Sequence, residues 1–161
     1  MDALKLLKHQ HDEVEQLMET LEKSRKSERK QALFTELADK LAAHATMEEK
    51  LFYPGVKAKK TEELVLESTE EHLAIKRVLA DMLKLDVEDE RFDAKLTVLK
   101  EEVRHHARDE EEKTLFPLVR KLLSKDELAQ MGNQMEQMFT KLLEDSPRNN
   151  VPMETESAAQ V

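Results

Sequence analysis

The 161-residue chain has no cysteine, no tryptophan and a single tyrosine, with only two glycines and four prolines. Without cysteine there are no disulfides, thiolate metal sites, iron–sulfur clusters or thiol nucleophiles. So few glycines and prolines leave few places to interrupt a helix. With charged residues at 38%, such a chain is usually helical. A basic excess is also missing: 26 Lys+Arg stand against 35 Asp+Glu, a net charge of −9. That balance argues against nucleic acid or an anionic membrane as partner, because both are held by a basic face. No run approaches the ~18 apolar residues of a membrane span. The opening MDALKLLKHQ lacks the apolar stretch and cleavage site of a secretion signal. A cytoplasmic protein of one domain, perhaps with a tail, is expected.

Apolar residues recur at helical spacing along most of the chain. Asp2 is a candidate N-cap for a first helix whose stripe is Leu4, Leu7, Val14, Leu17 and Leu21, fading in SRKSERK. A second helix starts near Ser27, carries Leu33, Leu37, Leu41, Leu51 and Phe52, and is expected to stop at Pro54-Gly55. Thr61 opens a third, with Glu62 and Glu63 placed favourably for the helix dipole. Its stripe is Val65, Ser68, Ile75, Leu79 and Met82. A turn around Asp86–Asp89 leads to a fourth helix with Phe92, Leu96, Leu99 and Val103, ending near Pro117. Four helices of roughly 25 residues would each run ~37 Å. Short connections make neighbours antiparallel, so an all-α, up-down-up-down four-helix bundle is expected over residues 1–122. Ser124 followed by Glu127 is a capping-box pattern that opens a fifth helix over 123–145, through the Met-rich MGNQMEQMFTKLL. This helix could pack on the bundle or pair with a second copy as a homodimer. Residues 146–161 show no periodicity and are expected to be a disordered tail.

The informative residues interrupt the stripes. His11 lies four after Leu7 and three before Val14, and His44 lies three after Leu41 and four before Glu48. His72 lies four after Ser68 and three before Ile75, and His106 lies three after Val103. Each helix therefore points one histidine inward, and a carboxylate joins them. In antiparallel neighbours His11, early in the first helix, stands level with His44, late in the second. A lone inward histidine is more often a hydrogen-bonded core residue than a ligand. Four in phase, with an acid, shift that balance toward metal, since a buried carboxylate is costly unless paired or bound to a cation.

An internal repeat strengthens the pattern. HATMEEKLFYP from His44 to Pro54 resembles HARDEEEKTLFP from His106 to Pro117. The Glu-Glu-Lys frame aligns Glu48 with Glu111 and Pro54 with Pro117. Helical phase favours Glu110, four after His106, as the second acid. The repeat favours Glu111, five after it, which a one-residue bulge would bring to the same face. Both stay candidates, with Glu111 preferred. Imidazole and carboxylate without thiolate suit iron, manganese or zinc. The acidic run around Glu110 would otherwise be a solvated face, and the eight methionines core filler.

The order His11, His44-x3-Glu48, His72, His106-x4-Glu111, with LFYP and TLFP after the acids, resembles the hemerythrin-like HHE cation-binding domain over about residues 2–120. The resemblance implies a four-helix bundle around a non-haem di-iron centre, oxo- or hydroxo-bridged. Histidines would be the terminal ligands and the two carboxylates the bridges. Oxygen-carrying hemerythrins have His-x3-His on the third helix, whereas here Lys76 stands four after His72. That departure weighs against a simple oxygen carrier. The implied small-molecule ligands are O2, NO or peroxide, with Leu41, Phe52, Ile75, Val103 and Phe116 as candidate walls. Three readings follow: a di-iron module that carries, senses or buffers O2, NO or iron; a redox enzyme acting on peroxide or NO; and a metal-free helical interaction protein.

Overall fold

The computed structural model describes residues 1–161 and is all helical. Helix α1 (Ala3–Lys23) starts where the Asp2 carboxylate accepts from the Lys5 N–H at 2.9 Å. Helix α2 (Ser27–Met47) runs antiparallel to it and passes without a break into a wider π-helical segment, Glu48–Phe52. The short α3 (Tyr53–Val56) continues the same rod. Pro54 and Gly55 do not stop the helix as expected: Pro54 sits in the first turn of α3, where proline is tolerated. Helix α4 (Glu62–Leu83) follows a loop held by Thr61, whose hydroxyl accepts from Ala58 N and donates to Val56 O. Helix α5 (Glu90–Arg104) is capped by Asp89, then widens into a π-helical segment, His105–Leu115, and resumes as α6 (Phe116–Leu122). Pro117 likewise falls inside the rod instead of ending it, again in the first turn of a resumed helix.

Two apolar clusters form the core, and each draws on all four rods. One gathers Met18, Leu21, Phe34, Leu37, Leu79, Met82, Phe92, Leu96 and Leu99. The other gathers Leu4, Leu7, Met47, Phe52, Tyr53, Val65, Leu115, Phe116 and Val119. The histidines and acids of the four rods lie between them in sequence, so a polar layer divides the hydrophobic interior. Buried Lys30 fastens the far end: its ammonium donates to the Val87 carbonyl at 3.0 Å and to Asp93 at 3.2 Å.

Helix α7 (Lys125–Glu144) begins with the expected capping box, Ser124 with Glu127. It lies on α1, α2 and the first π segment, with Leu128 and Met135 in the second cluster. Gly132 permits the close approach to α1. A Cβ there would lie 2.8 Å from Ala3 N and press on the Met1 carbonyl.

The segment after α7 departs from the sequence expectation of disorder. Ser146 turns the chain through a left-handed conformation (φ 50°), and Pro147–Glu154 forms a 3-10 helix in the groove between α2 and α4. Val151 is buried in the first core cluster. Arg148 bonds Asp39 through both its backbone N–H (3.1 Å) and its guanidinium (2.8 Å). Arg77 donates to the Thr155 and Glu156 carbonyls, and Lys76 pairs with Glu154 at 3.0 Å. The segment is too short and polar to show a period. Buried Pro147 and Val151, two ion pairs and the bonds from Arg77 hold it down. Val151→Ala should therefore cost about 2 kcal/mol of unfolding free energy, measured by chemical denaturation. A free tail would give no change.

Candidate metal centre

The π segments decide which acids face inward. In each, backbone pairing shifts to i→i+5: Tyr53 N–H bonds the Glu48 carbonyl, and Phe116 N–H bonds the Glu111 carbonyl. In the second segment this stacks Glu111 on His106, five residues back, and swings Glu110 aside. Glu111 is fully buried and 2.7 Å from His106 Nε2. Glu110 is instead near the surface, 3.5 Å from His105 Nε2 and grouped with Glu71. The structure thus brings His11, His44, Glu48, His72, His106 and Glu111 together and leaves Glu110 outside.

Each imidazole is oriented from behind. Nδ1 of His11 donates to Glu112 (2.8 Å), that of His44 to the Gln10 amide oxygen (2.7 Å), that of His72 to Glu49 (2.7 Å) and that of His106 to Glu71 (2.8 Å). These partners are acceptors, so the ring hydrogen is on Nδ1 and the Nε2 lone pair points inward. There, Glu48 Oε1 lies 2.7 Å from His44 Nε2 and 3.4 Å from His72 Nε2, and Glu111 Oε1 lies 3.9 Å from His11 Nε2. Nε2 of His72 and Nε2 of His106 are 3.0 Å apart. The inner atoms of His11, His44, Glu48 and Glu111 are buried without a hydrogen-bond partner. Acceptors crowded against acceptors in an apolar interior are strongly unfavourable unless a cation lies among them. The donors form two groups, Glu48 with His72, His106 and Glu111, and His11 with His44 and Glu111, each within 4.8 Å. Glu111 belongs to both, as a bridge between two ions would. The residues fit a site for metal cations.

Electrostatics agree with the packing. Burial drives the His11 pKa down from 6.5 to about 4, against the pull of Glu112. Burial works to raise the Glu48 carboxyl, but the nearby His44 and His72 rings outweigh it and hold it well below the usual range. Burial and the charge of Glu48 push Glu111 well above it. The two acids therefore share their site unequally while only protons balance the charge.

The site has an internal two-fold pattern that the sequence repeat shows only in part. Gln10 precedes His11 and holds His44, while Glu71 precedes His72 and holds His106. Glu49 follows Glu48 and holds His72, while Glu112 follows Glu111 and holds His11. Neither the stripes nor the repeat singles out these four partners. Adjacency to a site residue was the available signal. Tyr53 was missed altogether. It is fully buried, with its hydroxyl 3.2 Å from His72 Nε2 and 3.3 Å from His106 Nε2. In the repeat it aligns with Phe116, whose ring stacks on His11 at a centroid distance of 6.4 Å. Of the other histidines, His9 pairs with Glu13 on the surface and His105 is exposed.

An antiparallel bundle with a buried imidazole–carboxylate cluster is the architecture of helical metal-binding proteins. Residues 2–119 match the hemerythrin HHE cation binding domain, and the chain belongs to that family. A hemerythrin HHE cation binding domain-containing protein from Mycobacterium kansasii shares the fold. Its crystal structure aligns with a TM-score of 0.83 at 22% identity, over 96% of this chain and 99% of that one. A DNA nickase of Nostoc sp. strain PCC 7120 is 27% identical over 142 residues, 88% of this chain. The chain spans 40% of that curated relative's length.

The His11 shift has a measurable consequence in metal-free protein. Below pH 6.5 the unfolded chain takes up a proton at His11, and the folded chain does not until about pH 4. More protons are then bound by the unfolded state, so this share of stability is lost as pH falls through that window. It amounts to about 3 kcal/mol. The apo His11→Gln variant should show a flatter fall of unfolding free energy with pH between 6.5 and 4 than apo wild type; parallel curves would contradict the assignment.

Proposed function

We propose that this domain holds a non-haem di-iron centre and uses it to bind or sense a diatomic or peroxide ligand such as O2, NO or H2O2. Cation binding is the property of the family. The finer reading is carried by one observation: the cavity beside the His/Glu cluster is small and mostly apolar. Its volume is about 40 Å³, and Val14, Leu41, Ile75, Leu79, Val103 and Val151 line it beside the four histidines. A water needs roughly 10–15 Å³ by this measure, so the space suits a ligand of two to four atoms and excludes an organic substrate.

His11 and His44 would hold one ion, His72 and His106 the other, and Glu48 and Glu111 would span the pair. Bound ferrous ions supply electrons to a small oxidant. The chain's own part is to fix four Nε2 lone pairs through their Nδ1 partners, to balance ionic charge with two carboxylates, and to keep the cavity dry. Lys76 lines the cavity with its ammonium held by Glu49 and Glu154, both at 3.0 Å, and puts a positive charge beside the ligand space. Nicking DNA, the activity in the name of the Nostoc relative, is not part of this reading, because a net charge of −9 repels a phosphate backbone.

Metal analysis after anaerobic iron loading should give about two irons per chain. Glu111→Ala should lose both, whereas Glu110→Ala should keep both. An O2- or NO-dependent change in the visible spectrum of the loaded protein, reversed on removing the gas, is the expected sign of ligand binding. Equal occupancy in the two variants, or no iron in wild type, would overturn the assignment.

A further inference from the structure

We propose that the C-terminal segment Pro147–Glu154 sets the size of ligand that the cavity admits, with Val151 as the limiting wall. This rests on the small-ligand reading above and names the part of the chain that enforces it. Residues 2–119 carry the family match, but they do not enclose the cavity by themselves. Val14, Leu41, Ile75, Leu79 and Val103 line it from the four rods, and Val151 and Glu154 complete it from outside the matched region. The gap they fill lies between α2 and α4, which touch each other sparsely and both rest on the segment. The turn at Ser146 (φ 50°) brings the chain back from α7 to that gap. Val151 plugs it, with only 2% of its surface exposed.

The anchors keep this wall in one place. Arg148 ties the segment to Asp39 of α2, and Arg77 of α4 donates to the carbonyls just beyond it. The Glu154 carboxylate is committed to Lys76 at 3.0 Å, so Val151 is the apolar face that the segment offers to the cavity. Closed in this way, the space is about 40 Å³. A cavity that takes up an aromatic ring is larger, roughly 150 Å³. Hydrogen peroxide therefore fits, and cumene hydroperoxide does not. A brace that only tied α2 to α4 would alter stability when weakened and leave the preference between small and large ligands unchanged. A size limit requires the preference itself to change.

Two measurements on the full chain test this. In the first, protein loaded anaerobically with ferrous iron is mixed with hydrogen peroxide or cumene hydroperoxide, and iron oxidation is timed. With either reagent the O–O bond breaks and two ferrous ions give up one electron each. Two protons from solvent complete two waters, or one water and cumyl alcohol. Val151→Asp sets a carboxylate in the apolar cluster and unseats the segment. The preference of wild type for hydrogen peroxide should fall at least about tenfold in Val151→Asp. It should persist in Val98→Asp, which adds the same charge on the exposed side of α5. The second measurement needs no iron: metal-free Val151→Asp, its helical circular dichroism intact, should bind an anilinonaphthalenesulfonate dye that metal-free wild type does not. An unchanged peroxide preference in iron-loaded Val151→Asp would overturn the proposal and leave the small-ligand reading standing. A wild type that reacts alike with both peroxides would remove both. If wild type takes up no iron, the di-iron reading falls and the dye decides alone, no binding by Val151→Asp being the rejecting result. Should Val151→Asp fail to fold, the double variant Arg148→Ala, Arg77→Ala, which frees the polar anchors, takes its place with the same outcomes.

Discussion

Burying six ionisable side chains in one layer of a small bundle is the constraint to which the rest of the structure answers. Their outer atoms are satisfied by Gln10, Glu49, Glu71 and Glu112, whereas most inner atoms face one another without a hydrogen bond. Such a layer costs stability in a metal-free chain, where carboxylates and imidazoles repel or must share protons. The two flanking apolar clusters supply the compensating burial, one on each side. Fold and site are therefore in opposition until cations neutralise the layer, and metal binding becomes part of the folding free energy.

Backbone geometry is what makes the layer close. A regular α-helix would present Glu110 together with His106. The wider turns of His105–Leu115 present Glu111 instead, and with it Glu112 for His11. The same device in Glu48–Phe52 aims Glu49 at His72 and delivers Tyr53 to the centre. Neither proline ends its rod, because each lies where α-helix resumes after a π segment.

Much of this was legible from residue order. Leucines at helical spacing gave the four rods, and the in-phase positions of His11, His44, His72 and His106 placed one imidazole on each. The Glu-Glu-Lys frame pointed to Glu111 over Glu110, against simple helical phase. What escaped was of two kinds. Gln10, Glu49 and Glu112 look like ordinary surface polar residues, since a hydrogen bond to a ring's far nitrogen leaves no periodic trace. Tyr53 sits at an apolar position of the repeat and reads as wall material. The stretch Pro147–Glu154 was misread for a related reason: composition predicts whether a segment can build its own core, not whether it can borrow one from α2 and α4.

That borrowed seat links the end of the chain to the cavity. Val151 and Glu154 are both cavity walls, and Glu154 also grips Lys76, which grips Glu49, which in turn orients His72. The 3-10 segment is small, held by buried Pro147 and Val151 and by two ion pairs, and units of that kind open well before a bundle does. Its lifting would wet the pocket and release the hold on one imbedded imidazole in the same event. Access to the cavity on this flank is thus a matter of local breathing, sensitive to ionic strength, with the bundle itself remaining intact.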